Sequence, residues 1–256
     1  MRILVCVKRV PLTGGKITLT EDQRAIQTRH LGFTVSPHEE CAAEEAVRLV
    51  ESHGGSSTVL TLGPSEAEEQ LRDLMAIGAD DAIHLVTDGA EWDPQATAAA
   101  IVEAVRAQAE PYDLLLFGNE SADAGNYQVA IRVAHALGLP CVNGIKAIAV
   151  ADGGGRLRCE QETTSHPPGR DVYEVPLPAV VTVKEGINLP RYPSVPGRMR
   201  AKRKPLAASQ PVRPQPRLEM ARLLVPEGSS KQAEVLGNGA DAAPRVVEIL
   251  QEIGVL

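Results

Sequence analysis

Short apolar runs alternate with amphipathic segments over the first 183 residues. Continuous apolar runs are typical of strands that helices cover on both faces of a parallel sheet. The segments between them carry helix-start signals, with Ser36-Pro37 before one segment and Asp93-Pro94 before another. The pattern therefore predicts an α/β fold with a doubly wound, mostly parallel, Rossmann-like sheet joined by right-handed crossovers. The predicted strands are residues 2–7, 57–62, 82–86, 113–117 and 179–183.

Two stretches interrupt this alternation. Residues 16–33 predict an inserted hairpin after the first strand, and residues 157–178 predict a second excursion before the last strand. Within the first long helix, the acidic pairs at 39–40 and 44–45 predict a solvated helix face.

The chain changes character after residue 185. Seven prolines lie between residues 190 and 216, interspersed with the basic run 198–204. Proline at this density excludes regular helix and central strand, so we expect an extended arm that ends in a modest helix at 243–253. Such an arm cannot bury itself, and it is either a disordered tail or a segment that wraps a partner. The predicted division is an α/β domain over residues 1–185 and a C-terminal arm over residues 186–256.

Composition narrows the classes of function. The formal net charge of −7 argues against a nucleic-acid partner, because affinity for nucleic acid depends on neutralising phosphates. The four cysteines are far apart and form no Cys/His cluster, so we expect no metal site and a reduced, cytoplasmic protein. No apolar run approaches the length of a membrane span, and we do not expect a membrane-embedded chain. Neither a phosphate-loop motif nor a nucleophile elbow occurs, so no catalytic residue is predicted.

The loop after the fourth strand, GNESADAGNYQ at residues 118–128, is the most informative candidate site. It lies at the carboxyl end of a strand, where open α/β sheets bind ligands, and it precedes a helix whose free N–H groups suit a phosphate. Ala124 and Gly125 would let a ligand approach the backbone. The same residue types favour ordinary turns, so nucleotide binding and a structural turn both remain open.

Several segments together resemble the beta subunit of electron-transfer flavoproteins over nearly the whole chain. They are ILVCVKRVP, SPHEECAAEEAVRL, MAIGADDAIHL, GNESADAGNYQ and LPAVVTVKEGINLPRYPSVPGRMRAKRKPL. The resemblance implies an adenine-nucleotide-binding type of fold and a heterodimer with an alpha subunit that holds most of an FAD site. It also implies AMP, or a second FAD, in this chain. The implied function is that of an electron carrier, without bond chemistry of its own, that contacts dehydrogenases and a membrane quinone reductase transiently.

Carried over residue by residue, the resemblance implies two groups of functional residues. His38 stands where the family has an aromatic ring, and Tyr127 adds bulk that favours AMP over a second FAD. Val195 stands at the position of an aliphatic anchor. The implied cofactor contacts are Cys6, Ser36, His38, Leu62, Gly118, Asn119, Glu120, Ser121, Ala122, Asp123, Ala124, Gly125, Asn126, Tyr127, Gln128 and Val129. The implied partner-recognition residues are Arg191, Val195, Met199, Arg200 and Arg203.

Two alternatives to a one-flavin carrier remain. One is a homodimeric adenine-nucleotide-binding sensor on a similar sheet, which would not need the long arm. The other is the beta subunit of an electron-bifurcating flavoprotein, in which this chain holds the second FAD.

Overall fold

A nine-stranded sheet forms the centre of the molecule in this computed structural model, which describes residues 1–12, 14, 17–163, 168–225 and 235–255. The strands are β1 (Arg2–Val7), β2 (Arg9–Pro11), β3 (Phe33–Val35), β4 (Ser56–Gly63), β5 (Asp81–Val86), β6 (Leu114–Gly118), β7 (Cys141–Ala151), β8 (Arg156–Glu162), β9 (Arg170–Pro176), β10 (Ala179–Val183) and β11 (Leu206–Ser209). The helices are α1 (Pro37–His53), α2 (Glu68–Ile77), α3 (Pro94–Arg106), α4 (Val129–Leu137), α5 (Val195–Ala201) and α6 (Ala243–Glu252). Strands β2 and β3 pair with each other as a separate antiparallel hairpin.

The strand order across the sheet is β11–β5–β4–β1–β6–β10–β7–β8–β9. Neighbouring strands from β11 to β7 are parallel, and β8 and β9 extend that edge as antiparallel strands. The chain moves outward from β1 to β4 and β5, then returns to place β6 on the other side of β1. This arrangement confirms the predicted doubly wound α/β class. The reversal beside β1 is a topological switch point.

Helices cover both faces of the sheet and create two apolar cores. Successive side chains of a strand point to opposite faces. In β1, Ile3 and Val5 therefore pack with α1 and α2, whereas Leu4 packs with α3 and α4. All three side chains are fully buried, as are Ala42 and Ala46 on the facing surface of α1. Burial on both faces explains why the parallel strands have continuous apolar sequences.

The strands and helices predicted within residues 1–183 form, with small shifts at their ends. Asp93 caps α3 as expected, because its Oδ1 accepts from the backbone N–H of Ala96 at 2.6 Å. Within the hairpin predicted at 16–33, Leu19 pairs with Ile26 in an antiparallel bridge, and residue 16 lies outside the described ranges. The flanking segments 9–11 and 33–35 pair as β2 and β3. The second excursion, at 157–178, contributes β8 and β9 to the main sheet.

The expectation that the arm is extended throughout is wrong. Helix α5 forms within the proline-rich stretch, and β11 adds a parallel strand beside β5. Pro196 lies in the first turn of α5, where its missing N–H costs no hydrogen bond. Ser194 caps this helix by accepting from the N–H of Gly197 at 3.1 Å. The terminal helix α6 forms where the sequence predicted it.

The expectation of a solvated acidic face on α1 is also wrong. Glu39, Glu44 and Glu45 are 7%, 1% and 9% exposed. Each of the three has a partner from a distant part of the chain, which helical periodicity cannot reveal. Asn188, for example, donates to Glu45 Oε2 at 2.9 Å.

Arg191 fastens the start of the arm to α1. Its Nε donates to Glu44 Oε2 at 2.9 Å, and its Nη1 donates to Glu51 Oε1 at 2.7 Å. Glu44 also accepts from Arg48 Nε at 2.6 Å. Burial opposes ionisation of Glu44, but the bonds from Arg191 and Arg48 outweigh it and hold the pKa of Glu44 below its ordinary value.

We expect Arg191→Gln to lower the free energy of unfolding by about 1 kcal/mol, because a buried carboxylate loses charged hydrogen bonds while a third of the arginine side chain remains in water. Chemical denaturation measures the difference. The control, Arg200→Gln, changes an exposed residue and should alter the free energy by less than about 0.5 kcal/mol. Equal losses in the two variants would contradict the role given to Arg191.

Candidate functional site

The carboxyl ends of β1 and β6 lie side by side at the switch point, with Cys6 paired in register to Phe117. The segment from the last residue of β6 to the first residue of α4, residues 118–129, is called here the switch-point loop. It ends where α4 begins. Ser36, at the start of α1, contacts this loop. The structure therefore brings Cys6, Ser36 and the predicted loop to one edge of the sheet.

Ser36 links α1 to the switch-point loop. The sequence predicted that it caps α1, but its side chain makes no capping hydrogen bond. Instead, its Oγ accepts from the N–H of Ala122 at 3.1 Å and donates to the carbonyl of Glu120 at 3.4 Å. A short polar side chain at a helix start can serve either role, and here the long-range contact prevails.

The switch-point loop has a tight backbone. Gly125 has φ 54° and donates its N–H to the carbonyl of Ser121 at 2.9 Å. Tyr127 has φ 55°, which is uncommon for a residue with a Cβ and is a feature of functional loops. A hydrogen bond with the Glu120 carboxylate raises the pKa of the Tyr127 hydroxyl, and the Tyr127 ring is half-exposed. Gln128 accepts from Arg132 Nη2 at 2.9 Å and so stays beside α4.

Lys8 is a central residue of this site that the sequence analysis missed. Its Nζ lies 2.8 Å from Asp123 Oδ2 and 2.6 Å from Glu91 Oε1. Burial disfavours the charged amine, but the carboxylates of Glu91 and Asp123 outweigh this effect and raise the pKa of Lys8. The other oxygen of Asp123, Oδ1, is buried without a hydrogen-bond partner among the described residues. The one available signal was a lysine directly after a buried strand.

Glu39 lies beneath the loop, where its Oε2 accepts from the backbone N–H of Lys8 at 2.6 Å. Burial raises the pKa of Glu39 to about 8. A Cβ at position 118 would lie 2.6 Å from Glu39 Cγ, so Gly118 is the residue that lets β6 pass this side chain.

His38 faces a polar cleft of about 410 Å³ beside the switch-point loop. Burial lowers the pKa of His38, while the carboxylates of Glu120 and Glu185 oppose the effect. Its Nδ1 is buried without a partner among the described residues. The cleft is lined by His38, Asn119, Glu120, Tyr127, Lys146, Glu162, Lys184 and Glu185.

Cys6 and Leu62 lie near the carboxyl ends of β1 and β4. Both belong to the apolar core under α3 and α4, with Cys6 buried and Leu62 partly buried. Burial raises the pKa of the Cys6 thiol, so this side chain is a neutral packing group and not a nucleophile.

Comparison with known proteins identifies the family. Residues 25–212 match the family model described as electron transfer flavoprotein domain. The electron transfer flavoprotein subunit beta of Bacillus subtilis is 36% identical over 210 residues, which cover 80% of this chain and 77% of that protein. That of Syntrophomonas wolfei is 33% identical over 249 residues, covering 97% and 95%. The chain belongs to the electron transfer flavoprotein beta-subunit family.

A third relative belongs to a larger assembly. It is the caffeyl-CoA reductase-Etf complex subunit CarD of Acetobacterium woodii, 32% identical over 212 residues, which cover 80% of this chain and 77% of that protein. Membership of the electron transfer flavoprotein family indicates electron transfer with a flavin in the complex, and the subunit naming indicates an alpha-subunit partner.

The residues that the family resemblance assigned to partner recognition divide into two groups. Arg191 is engaged by Glu44 and Glu51 within this chain. Val195 and Met199, on α5, are 74% and 60% exposed. Arg200 and Arg203 are also exposed beside them.

Metal and membrane sites receive no support from the described part of the chain. No group of three or more His, Cys, Asp or Glu residues there has a metal-binding arrangement. No helix in those ranges combines the length and the apolarity that a membrane crossing requires.

The raised pKa of Glu39 predicts that the stability of the folded chain depends on pH. Its pKa is about 8 in the folded chain and about 4.3 in an unfolded chain, so between these values only the folded chain keeps the proton. The free energy of unfolding should therefore fall as pH rises through this window. Glu39→Gln removes the titration, and we expect the variant to gain stability relative to wild type between about pH 5 and about pH 8.

Denaturation at several pH values measures this difference. Glu69→Gln, on the exposed side of α2, is the control and should follow the wild-type profile. A constant difference between Glu39→Gln and wild type across the whole pH range would show that Glu39 does not titrate there.

Proposed function

We propose that this chain binds an adenine nucleotide at the switch-point loop and pairs with an alpha subunit to complete an FAD site. The heterodimer then carries electrons between dehydrogenases and a membrane quinone reductase. Family membership supports the electron-transfer part of this proposal. The observation that carries the nucleotide assignment is Asp123, which has one oxygen fixed by Lys8 and the other buried without a described partner.

The chemistry of the site fits AMP. A buried carboxylate oxygen that lacks a donor is costly, and a ribose hydroxyl or an adenine amino group would supply one to Asp123. The backbone N–H groups at the start of α4 provide positive potential for a phosphate, while Lys8 offsets the charge of Asp123 and Glu91. Ser36 and Cys6 form the adjoining wall. In this assignment AMP stabilises the fold of the loop and takes no part in electron transfer.

The polar cleft fits a wall of the FAD site, which the alpha subunit holds for the most part. The flavin supplies the redox chemistry when it is bound. The lowered pKa of His38 keeps its imidazole neutral near pH 7, and its Nδ1 has no described partner, so the ring can orient toward a flavin edge without adding charge.

Helix α5 is the proposed docking surface for electron donors and acceptors. Its exposed Val195 and Met199 form a small apolar contact, and Arg200 and Arg203 surround it with positive charge. Such a surface favours fast and transient association with acidic partners.

Helix α6 is the proposed contact surface for the alpha subunit. Val246 and Val247 are 41% and 43% exposed, and Ile253 beyond the helix is 64% exposed. An amphipathic helix with uncovered apolar residues is stable when it packs on a partner. The long arm that carries α6 disfavours the homodimeric sensor, because such a protein would not need the arm.

An electron-bifurcating subunit with a second FAD is the second candidate. The cleft beside the switch-point loop favours it, because a ligand longer than AMP could continue from the loop into that space. Tyr127 opposes it, because its ring lines the cleft.

A count of bound nucleotides tests the assignment. We expect one FAD and one AMP from the heterodimer after denaturation, and two FAD would establish the second candidate.

The substitution Asp123→Ala should weaken AMP binding by about tenfold to 100-fold, which corresponds to the loss of one charged hydrogen bond. The control, Asp171→Asn on the exposed strand β9, should retain AMP. AMP in full amount in the Asp123→Ala heterodimer would remove Asp123 from the site.

Truncation tests the role of α6. A chain that ends at Val225 keeps every strand described here, so we expect an unchanged thermal midpoint but no co-purification with the alpha subunit. The double substitution Val246→Asp and Val247→Asp should act in the same way, because it places charge on the apolar face. Arg245→Gln, on the same helix, is the control and should keep the partner. Normal heterodimer yield from the truncated chain would contradict this role.

A further inference from the structure

The first part of the arm beyond β11 folds back onto its own domain. Residues 211–218, called here the arm latch, cross the loop 88–93 that leads into α3. Arg213 Nη2 donates to the carbonyl of Glu91 at 2.6 Å, and its guanidinium lies 5.7 Å from the centre of the Trp92 ring. The N–H groups of Arg217 and Leu218 donate to Asp93 Oδ2 at 2.6 and 3.1 Å.

The same loop is tied to the switch-point loop. The carboxylate of Glu91 lies 2.6 Å from Lys8 Nζ, and Lys8 Nζ lies 2.8 Å from Asp123. Glu91 thus contacts the arm through its carbonyl and Lys8 through its side chain. One residue joins two regions that are far apart in sequence.

The exposure of these groups shows why the arm contact matters. The side chain of Glu91 is 69% exposed, and exposed ion pairs are weak because two flexible side chains must be held in one geometry. Trp92 is 6% exposed and fixes the neighbouring backbone, and Arg213 engages the carbonyl of Glu91 itself. Both contacts restrict the motion of Glu91. Less conformational entropy is therefore lost when its side chain pairs with Lys8.

We propose that Arg213 and Glu91 are positioning residues for the nucleotide site, which act through Lys8 to hold Asp123. The proposal rests on the proposed function, in which Asp123 contacts an adenine nucleotide. The arm latch is then part of the site's supporting structure, and the arm serves this chain as well as the partner.

Hydrogen exchange of the full-length chain tests the relay without any ligand. The N–H groups of Ala122 and Gly125 are hydrogen-bonded in the switch-point loop and report its order. We expect Arg213→Gln and Glu91→Ala to speed their exchange about two- to fivefold, as the loss of a weak tether predicts. The double variant should exchange no faster than the faster single variant, because both changes break one path. Arg213→Lys, which keeps a donor, should restore much of the protection.

Arg217→Gln is the matched control. It removes the same charge from the same latch, but Arg217 contacts Asp93 through its backbone, so loop exchange should stay at the wild-type rate. Wild-type exchange rates in Arg213→Gln would overturn the relay, and so would an equal acceleration in Arg217→Gln. The thermal midpoints of all variants should agree closely, since global destabilisation would speed exchange throughout the sheet.

Titration with AMP separates this proposal from the proposed function. We expect wild type to bind AMP and Arg213→Gln to bind it about two- to fivefold more weakly, with Arg217→Gln unchanged. If wild type binds no AMP while the exchange pattern holds, the relay stands and the nucleotide assignment fails. If wild type binds AMP and the Arg213→Gln affinity is unchanged, the relay has no role in the site and the proposal fails.

Discussion

The reversal of strand order beside β1 is the constraint on which the rest of the structure depends. Because the chain leaves β1 in one direction and β6 arrives from the other, the carboxyl ends of these two strands lie together without a crossover helix above them. The gap receives the start of α1 and the switch-point loop. Gly118 is required there, because the side chain of Glu39 occupies the space that a Cβ would fill. This geometry places Cys6 on β1 and Gly118 on β6, the candidate site residues of the two strands.

Helix α1 connects the site to the arm through buried acids. Glu39 holds the backbone at the end of β1, Glu44 holds Arg191, and Glu45 holds Asn188. Each of these acidic side chains would be expensive to bury without a hydrogen-bond partner, and each accepts from a donor that arrives from outside the helix. The acids thus fix where two distant segments meet the domain.

The sequence was sufficient for the parts of the fold that depend on local pattern. Apolar runs located the parallel strands, and Asp93 indicated the start of α3, because a cap depends on residues three positions apart. Ser36 has the same local signature, yet its hydroxyl bonds to a loop 84 residues away. The density of prolines led to a wrong prediction at α5, because Pro196 lies in the first turn of the helix, where a missing N–H costs no intrahelical hydrogen bond.

The candidate site was predictable only in outline. The motif order indicated residues 118–129, and the structure brings that loop to Cys6 and Ser36. Lys8 pairs with Glu91 across 83 residues, and Arg213 reaches Glu91 across 122. Contacts between residues so far apart leave no periodic pattern in the sequence, so the sequence of one chain does not reveal them.

Strand β9 has a consequence for self-association. It is the last strand of the sheet, and its backbone edge is open to another chain within the described part of the molecule. Arg170 lies 2.8 Å from Glu160, and Glu174 lies 3.6 Å from Arg156, so charged pairs line the outer surface of the β8–β9 ribbon. Charge at a sheet border penalises strand addition by a second copy. The charged pairs on this ribbon therefore oppose polymerisation of the chain through its own sheet.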